Sequence, residues 1–230
     1  MTKAFVVDSR PPKAAVIQLN SDSERVEIDD VSAAEITSAA WTNDGETLAI
    51  GYANGQVRIK DEIIFSRGLA GADFSEQPVV QLKFSGDNQS MVVVQSARGE
   101  ENARSDWANA FALRKVEAGP WRVSAQFKHS DLDPIQCADI STVGKRVVTG
   151  SSRGRITIWD AEAVKYDEQS EVSVSTASPL EEKKITDREL LTISRLRSAV
   201  LSVGFIQKES AVIALETRSP NPVLFPVAKQ

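Results

Sequence analysis

Short apolar stretches recur along the chain, each too brief for a stable helix and rich in β-branched residues. Leu48-Ala49-Ile50, Met91 to Val94, Arg146 to Thr149 and Ala211 to Leu215 are of this kind, and such runs predict β-strands. Three of them follow turn chemistry that tolerates positive φ: Asn43-Asp44-Gly45, Gly86-Asp87-Asn88 and Val143-Gly144-Lys145. Beyond Gly55 and Gly154 the apolar positions alternate, as Val57 and Ile59 and again as Ile156 and Ile158, the pattern of a half-buried strand. One segment is ambiguous. Leu190, Ile193, Leu196 and Val200 fit a helical face, whereas Leu201, Val203 and Phe205 alternate as a strand.

The strands repeat as groups. Laying Ile36 to Asp61 over Ile135 to Asp160 without a gap matches Ile36 with Ile135, Leu48 with Val147, Gly51 with Gly150 and Gly55 with Gly154. It also matches Val57 with Ile156, Ile59 with Ile158 and Asp61 with Asp160. Two glycines at identical offsets among matching apolar positions mark a repeat, which sets the whole architecture. Weaker copies run from Val79 to Val94 and from Val200 to Leu215. At the ends, Phe5-Val6-Val7, Val16 to Leu19 and Val26-Glu27-Ile28 read as second, third and fourth strands of a unit. Val200 to Phe205, Ala211 to Leu215 and Val223 to Val227 read as a first, second and third.

With Ile156-Thr157-Ile158-Trp159-Asp160 preceded by Gly150-Ser151-Ser152-Arg153-Gly154, this copy resembles a WD-repeat unit. Ile36 to Asp61 resembles the same unit with Lys60 in place of the tryptophan. The resemblance implies four-stranded blades of about 40 to 45 residues arranged radially in a β-propeller. The expected fold is therefore all-β, a partial or open WD-repeat-like propeller of four to five blades. Its units fall near 1–30, 31–74, 75–128, 129–194 and 195–230, all within one domain, with an acidic insert at 161–187. The family's Gly-His pair is replaced: Val31-Ser32, Ser130-Asp131 and Arg195-Leu196 stand nearest its place, and His129 is offset from it. Asn54 and Arg153 stand where an acidic residue precedes the turn glycine. The blade's internal His-Asp-Ser-Trp hydrogen-bond network is expected to be incomplete.

Charge and chemistry narrow the function. There are 27 Lys+Arg against 32 Asp+Glu, a net charge of −5, which argues against nucleic-acid coating. No run approaches the ~18 to 20 apolar residues that span a bilayer, so no membrane partner is expected and the default location is cytoplasmic. Cys137 and His129 are the single cysteine and histidine; they support neither an intramolecular disulfide nor a structural zinc site. No glycine-rich phosphate loop is present. His129, Ser130, Asp131 and Asp133 read as a solvated loop rather than a triad, and Cys137 as a buried structural thiol. No catalytic, cofactor or metal residue is assigned.

Trp41 and Trp159 occupy periodic core positions and Trp121 a strand start, but Trp107 lies in an insert outside the strand periodicity. Tryptophan and arginine are enriched at binding hot spots. Trp107, Arg104, Arg153, Arg155, Arg195 and Arg197 fall in or beside loops that the fold would place on one entrance face, and are the candidate partner-binding residues. The expected function is a non-enzymatic protein-interaction scaffold, its partner a protein or peptide for which acidic chemistry is the candidate. The alternatives are the propeller part of a larger enzyme and a structural fragment without activity of its own. Open sheet edges also predict edge-to-edge oligomers or completion by another chain.

Overall fold

The computed structural model describes residues 3–9, 12–18, 25–28, 34–60, 62–66, 77–96, 109–116, 119–129, 133–162, 189–206 and 209–227; for 3–28 and for residues 194 and 195 it describes the backbone alone. Among them lie eighteen strands, β1 to β18, and no helix. The strands form five antiparallel sheets in chain order. The first contains β1 (Lys3–Ser9), β2 (Pro12–Gln18) and β3 (Arg25–Ile28). The second contains β4 (Ile36–Trp41), β5 (Leu48–Tyr52), β6 (Val57–Ile59) and β7 (Glu62–Phe65). The third contains β8 (Val79–Phe84), β9 (Ser90–Gln95), β10 (Ala110–Lys115) and β11 (Trp121–Phe127). The fourth contains β12 (Ile135–Ile140), β13 (Arg146–Ser151), β14 (Arg155–Asp160) and β15 (Glu189–Arg195). The fifth contains β16 (Val200–Ile206), β17 (Ala211–Glu216) and β18 (Ser219–Pro226).

Each sheet is an up-and-down meander, and the first strands of successive sheets lie side by side: β4 against β8, β8 against β12, β12 against β16. This radial order is that of propeller blades. The strand reading of residues 190–195 holds and the helical alternative does not, because β15 pairs with β14 from Trp159↔Glu189 to Arg155↔Arg195. Among the described residues no strand of the fifth sheet is hydrogen-bonded to the first.

Apolar packing between sheets follows from strand alternation. Phe65, Phe84, Met91, Phe111 and Trp121 join the second and third sheets in one core. Phe127, Ile135, Val147 and Trp159 join the third and fourth in another, and Val148, Ile158, Val200 and Val212 join the fourth and fifth. The repeat's glycines are the places where adjacent blades come closest. A Cβ on Gly51 would lie 2.7 Å from Val79 Cγ1, and one on Gly150 would lie 2.5 Å from Val200 Cγ1; Val79 and Val200 each begin the next blade's inner strand. Gly154, at φ 82°, turns in the left-handed region against the carbonyl oxygens of Leu196 and Ser198, which only glycine does without strain.

Polar bonds also cross the blade boundaries. Thr37 on β4 donates to the Val79 carbonyl at 2.8 Å. The Gln81 side chain on β8 donates to Ala138 O and accepts from Ala138 N, both at 2.9 Å, copying a strand ladder where no strand is present. These bonds hold the inner strands as one frame.

The resemblance breaks at one point. Lys60 does not take a tryptophan's place in the core: β6 ends at Ile59, and Lys60 sits exposed just beyond it at φ 54°. Ile50 stands where Thr149 stands in the fourth sheet, so a tryptophan there would find no hydroxyl for its N–H. Ile36, Ile50 and Tyr52 fill that face of the second sheet instead. The outer strand of the fifth sheet carries Pro220, Pro222 and Pro226. Prolines have no backbone N–H, so these three remove donors from the edge strand. That edge is poorly suited to accept another strand.

Candidate interaction face

The turns between first and second strands lie together on one face, and they are tied to one another. Asn43 N donates to Asn88 Oδ1 at 2.8 Å, Asn88 Nδ2 to Asp44 Oδ2 at 2.9 Å, and Asp87 N to the Thr142 carbonyl at 2.8 Å. Thr142 N in turn donates to Glu209 Oε1 at 3.2 Å. Within each turn a hydroxyl accepts the N–H five residues on, as Thr42, Ser85 and Ser141 do from Thr47, Ser90 and Arg146. Asp44 is held below the usual carboxylate range, first by its hydrogen bond from Thr42 and then by the Glu46 N–H. The polar groups of this belt are largely spent on one another.

The opposite face is built from the loops between second and third strands and those joining one blade to the next. On the fourth sheet its foundation is buried and polar. Trp159 Nε1 donates to Thr149 Oγ1 at 2.8 Å, and Thr149 Oγ1 lies 2.9 Å from His129 Nε2. The His129 ring stacks on Trp159 at 5.6 Å and 23°, and its side chain has no exposed surface. His129 Nδ1 faces Asp133 Oδ2 at 3.9 Å, too long for a hydrogen bond but close enough to favour the Nδ1–H tautomer. With that tautomer Nε2 accepts from the Thr149 hydroxyl, whose lone pair accepts from Trp159. Burial pushes the His129 pKa down to about 4, opposed by the Asp133 charge, so the ring is neutral at pH 7. Asp133 Oδ1 also accepts from Arg153 N at 2.9 Å and Ser152 Oγ at 3.4 Å.

This corrects one expectation: His129 is not in a solvated loop. The other stands, because the Trp159, Thr149 and His129 side chains are bonded in sequence while His129 Nδ1 has no hydrogen-bond partner among the described residues, so the blade's network is incomplete. Arg153 occupies the position before Gly154, and the carboxylate comes instead from Asp133, on the facing loop, reaching across to the Arg153 N–H. Cys137 lies buried at the boundary with the fifth sheet, its thiol donating weakly to Val200 O at 3.5 Å; burial pushes its pKa up to about 12, which leaves it unreactive.

Residues 121–160 match the family model of the WD domain, G-beta repeat. The matched span begins with β11, the outer strand of the third sheet, and ends at Asp160 on β14, so it takes in His129, Asp133, Thr149 and Trp159. Residues 121–160 are thus similar to a WD repeat, within a chain folded as a β-propeller. A solved structure with this architecture is the beta-propeller domain of Cps50 (Swd1) from Myceliophteria thermophila, at TM-score 0.64 and 11% identity over 94% of this chain and 63% of that one. The present propeller therefore spans less than two thirds of that domain's length. No curated protein matches the chain.

On this propeller the candidate arginines separate. Arg155 is engaged: its Nη2 meets both Glu189 carboxylate oxygens, at 3.1 and 3.2 Å, and Thr192 Oγ1 at 3.2 Å. Arg153, in the turn after β13, and Arg197, in the loop after β15, are exposed. Their loops touch, Leu196 N donating to Gly154 O at 2.7 Å. Arg195 ends β15, where the backbone alone is described. Arg104 and Trp107 lie outside the described residues, as does most of the acidic insert at 161–187. Among the described residues no group of three or more His, Cys, Asp or Glu is arranged to hold a metal.

Proposed function

We propose that this propeller is a protein-interaction scaffold that presents the loops around Arg153 and Arg197 to a partner protein, without chemistry of its own. WD-repeat propellers are typical interaction scaffolds and in general not enzymes. The observation that carries the assignment to this face is an asymmetry between the two. One face consumes its turn groups in bonds between blades, from Asn43 to Asn88 and from Asp87 to Thr142. The other keeps exposed guanidiniums on loops fixed from beneath by Asp133, Thr149 and Trp159. A rigid frame with free side chains at its rim costs a partner little ordering entropy.

The test is comparative affinity capture. The whole chain and an Arg153→Glu/Arg197→Glu variant, both shown by melting to be equally folded, are used to capture partners from cell extract. Partners retained by the whole chain and lost by the variant support this face. Partners retained equally by both overturn it, and then Trp107 and Arg104 are the next residues to substitute.

A further inference from the structure

A third arginine stands on the same face. Arg218 lies exposed in the two-residue turn between β17 and β18, and that turn is fastened to the loop that carries Arg197. Arg218 N donates to Ser198 Oγ at 3.1 Å, Thr217 N donates to the Ala199 carbonyl at 3.0 Å, and Glu216 Oε2 accepts from Ser198 N and Ser198 Oγ at 3.0 Å. On its other side the Arg197 loop is bonded to the Arg153 turn through Leu196 N and Gly154 O. Three loops from two blades are thus joined in a row, each carrying one exposed arginine. Among the described residues no carboxylate pairs with any of the three guanidiniums, whereas Arg155 is paired with Glu189.

We propose that Arg153, Arg197 and Arg218 form a linear cradle for an extended peptide segment bearing several spaced carboxylates. This rests on the interaction face argued above and names the chemistry of what that face receives. The order of the bonded loops favours one class of anion. A single phosphate is best held by guanidiniums converging on one point, whereas arginines set on three consecutive loops fit charges distributed along a chain. Backbone bonds hold the loops in place, so the forks are carried on fixed anchors.

The test uses a fluorescein-labelled peptide of alternating Glu and Gly-Ser residues, a Gln-for-Glu control and a phosphoserine peptide with a single phosphate, each titrated against the whole chain by anisotropy. The cradle predicts that the Glu peptide binds, that the Gln peptide does not, and that added salt weakens binding. Arg153→Ala, Arg197→Ala and Arg218→Ala should each weaken it about tenfold, while Arg122→Ala, an exposed arginine on β11, leaves it unchanged. The Arg218 backbone N–H survives the substitution, so the loop anchor persists and the melting temperature should hold. Wild-type affinity in Arg218→Ala, or a phosphoserine peptide that binds in preference to the Glu peptide, overturns the cradle. If the Glu peptide fails while capture still depends on Arg153 and Arg197, the face stands and its assignment to acidic chains falls.

Discussion

Asp139 on β12 accepts the backbone N–H of Phe205 on β16 at 2.7 Å, so one carboxylate closes the boundary between two blades. Its other oxygen accepts from Ile140 N at 2.8 Å and meets Lys83 Nζ on β8 at 2.6 Å. Three blades meet at this side chain, which is almost wholly buried while Lys83 is half exposed. The magnitudes differ accordingly. An exposed ammonium contributes at most about 1 kcal/mol, whereas deleting the carboxylate strands a backbone N–H and costs about 2 to 3 kcal/mol. Urea unfolding should find Asp139→Ala strongly destabilised and Lys83→Met nearly native; the reverse order would deny Asp139 its bridging role.

Thr149 is the hinge of the buried network in the fourth blade, with Trp159 Nε1 and His129 Nε2 both on its hydroxyl. Thr149→Val keeps the shape and removes both bonds, leaving two buried polar groups unpaired at about 1 to 3 kcal/mol each. Unfolding midpoints of Thr149→Val and Thr149→Ser are the comparison. Serine restores the hydroxyl and should recover most of the loss; equal losses would show that the methyl group, not the hydrogen bonds, stabilises the site.

His129 gives the stability a pH dependence of defined sign. Burial lowers its folded pKa to about 4 from an ordinary 6.5, so between those values the unfolded chain binds more protons than the folded one. Stability therefore falls as pH drops through that window and levels off below it, by roughly 3 kcal/mol at most. Chemical unfolding of the wild type and His129→Gln between pH 7 and pH 4 isolates the contribution. The wild type should lose more stability across the window; parallel profiles would place the titration elsewhere.

Gly150 and Gly51 occupy the same place in their blades, and each admits the first residue of the next inner strand. Gly150→Ala forces a methyl group against Val200 and the Cys137 sulfur, and Gly51→Ala forces one against Val79. Overpacking of this kind costs about 1 to 3 kcal/mol. Thermal melts of both variants should drop together, and an unchanged melt for either would mean that the blades can part there without cost.

The sequence carried the repeat because its determinants are local. Gly154, the alternation of Ile156 and Ile158, and the Trp159-Asp160 pair lie within a few residues and need no partner to be recognised. The network around Trp159 was not legible in the same way. His129 is 30 residues upstream in the chain and offset from the motif's place, while the carboxylate comes from Asp133 on a facing loop, where the hydrogen bond to Arg153 N depends on geometry alone. Lys60 aligns with Trp159 by position, yet β6 ends one residue earlier, at Ile59. The roles of Gln81, Asp139 and Arg218 are not legible in the sequence because they lie across blade boundaries. Gln81 imitates a strand, and Arg218 gains its neighbours only when β17 and β18 fold against the Arg197 loop.

The account centres on a rigid frame of blades locked along their inner strands, with loops free on one face. Native-state hydrogen exchange tests it most directly. The amides of Ala138, bonded to Gln81, and Phe205, bonded to Asp139, should exchange only by global unfolding and with matching protection, although they lie in different blades. Phe205 exchanging far faster than Ala138 would mean that the fifth sheet opens independently, and the frame proposed here for partner binding would not exist.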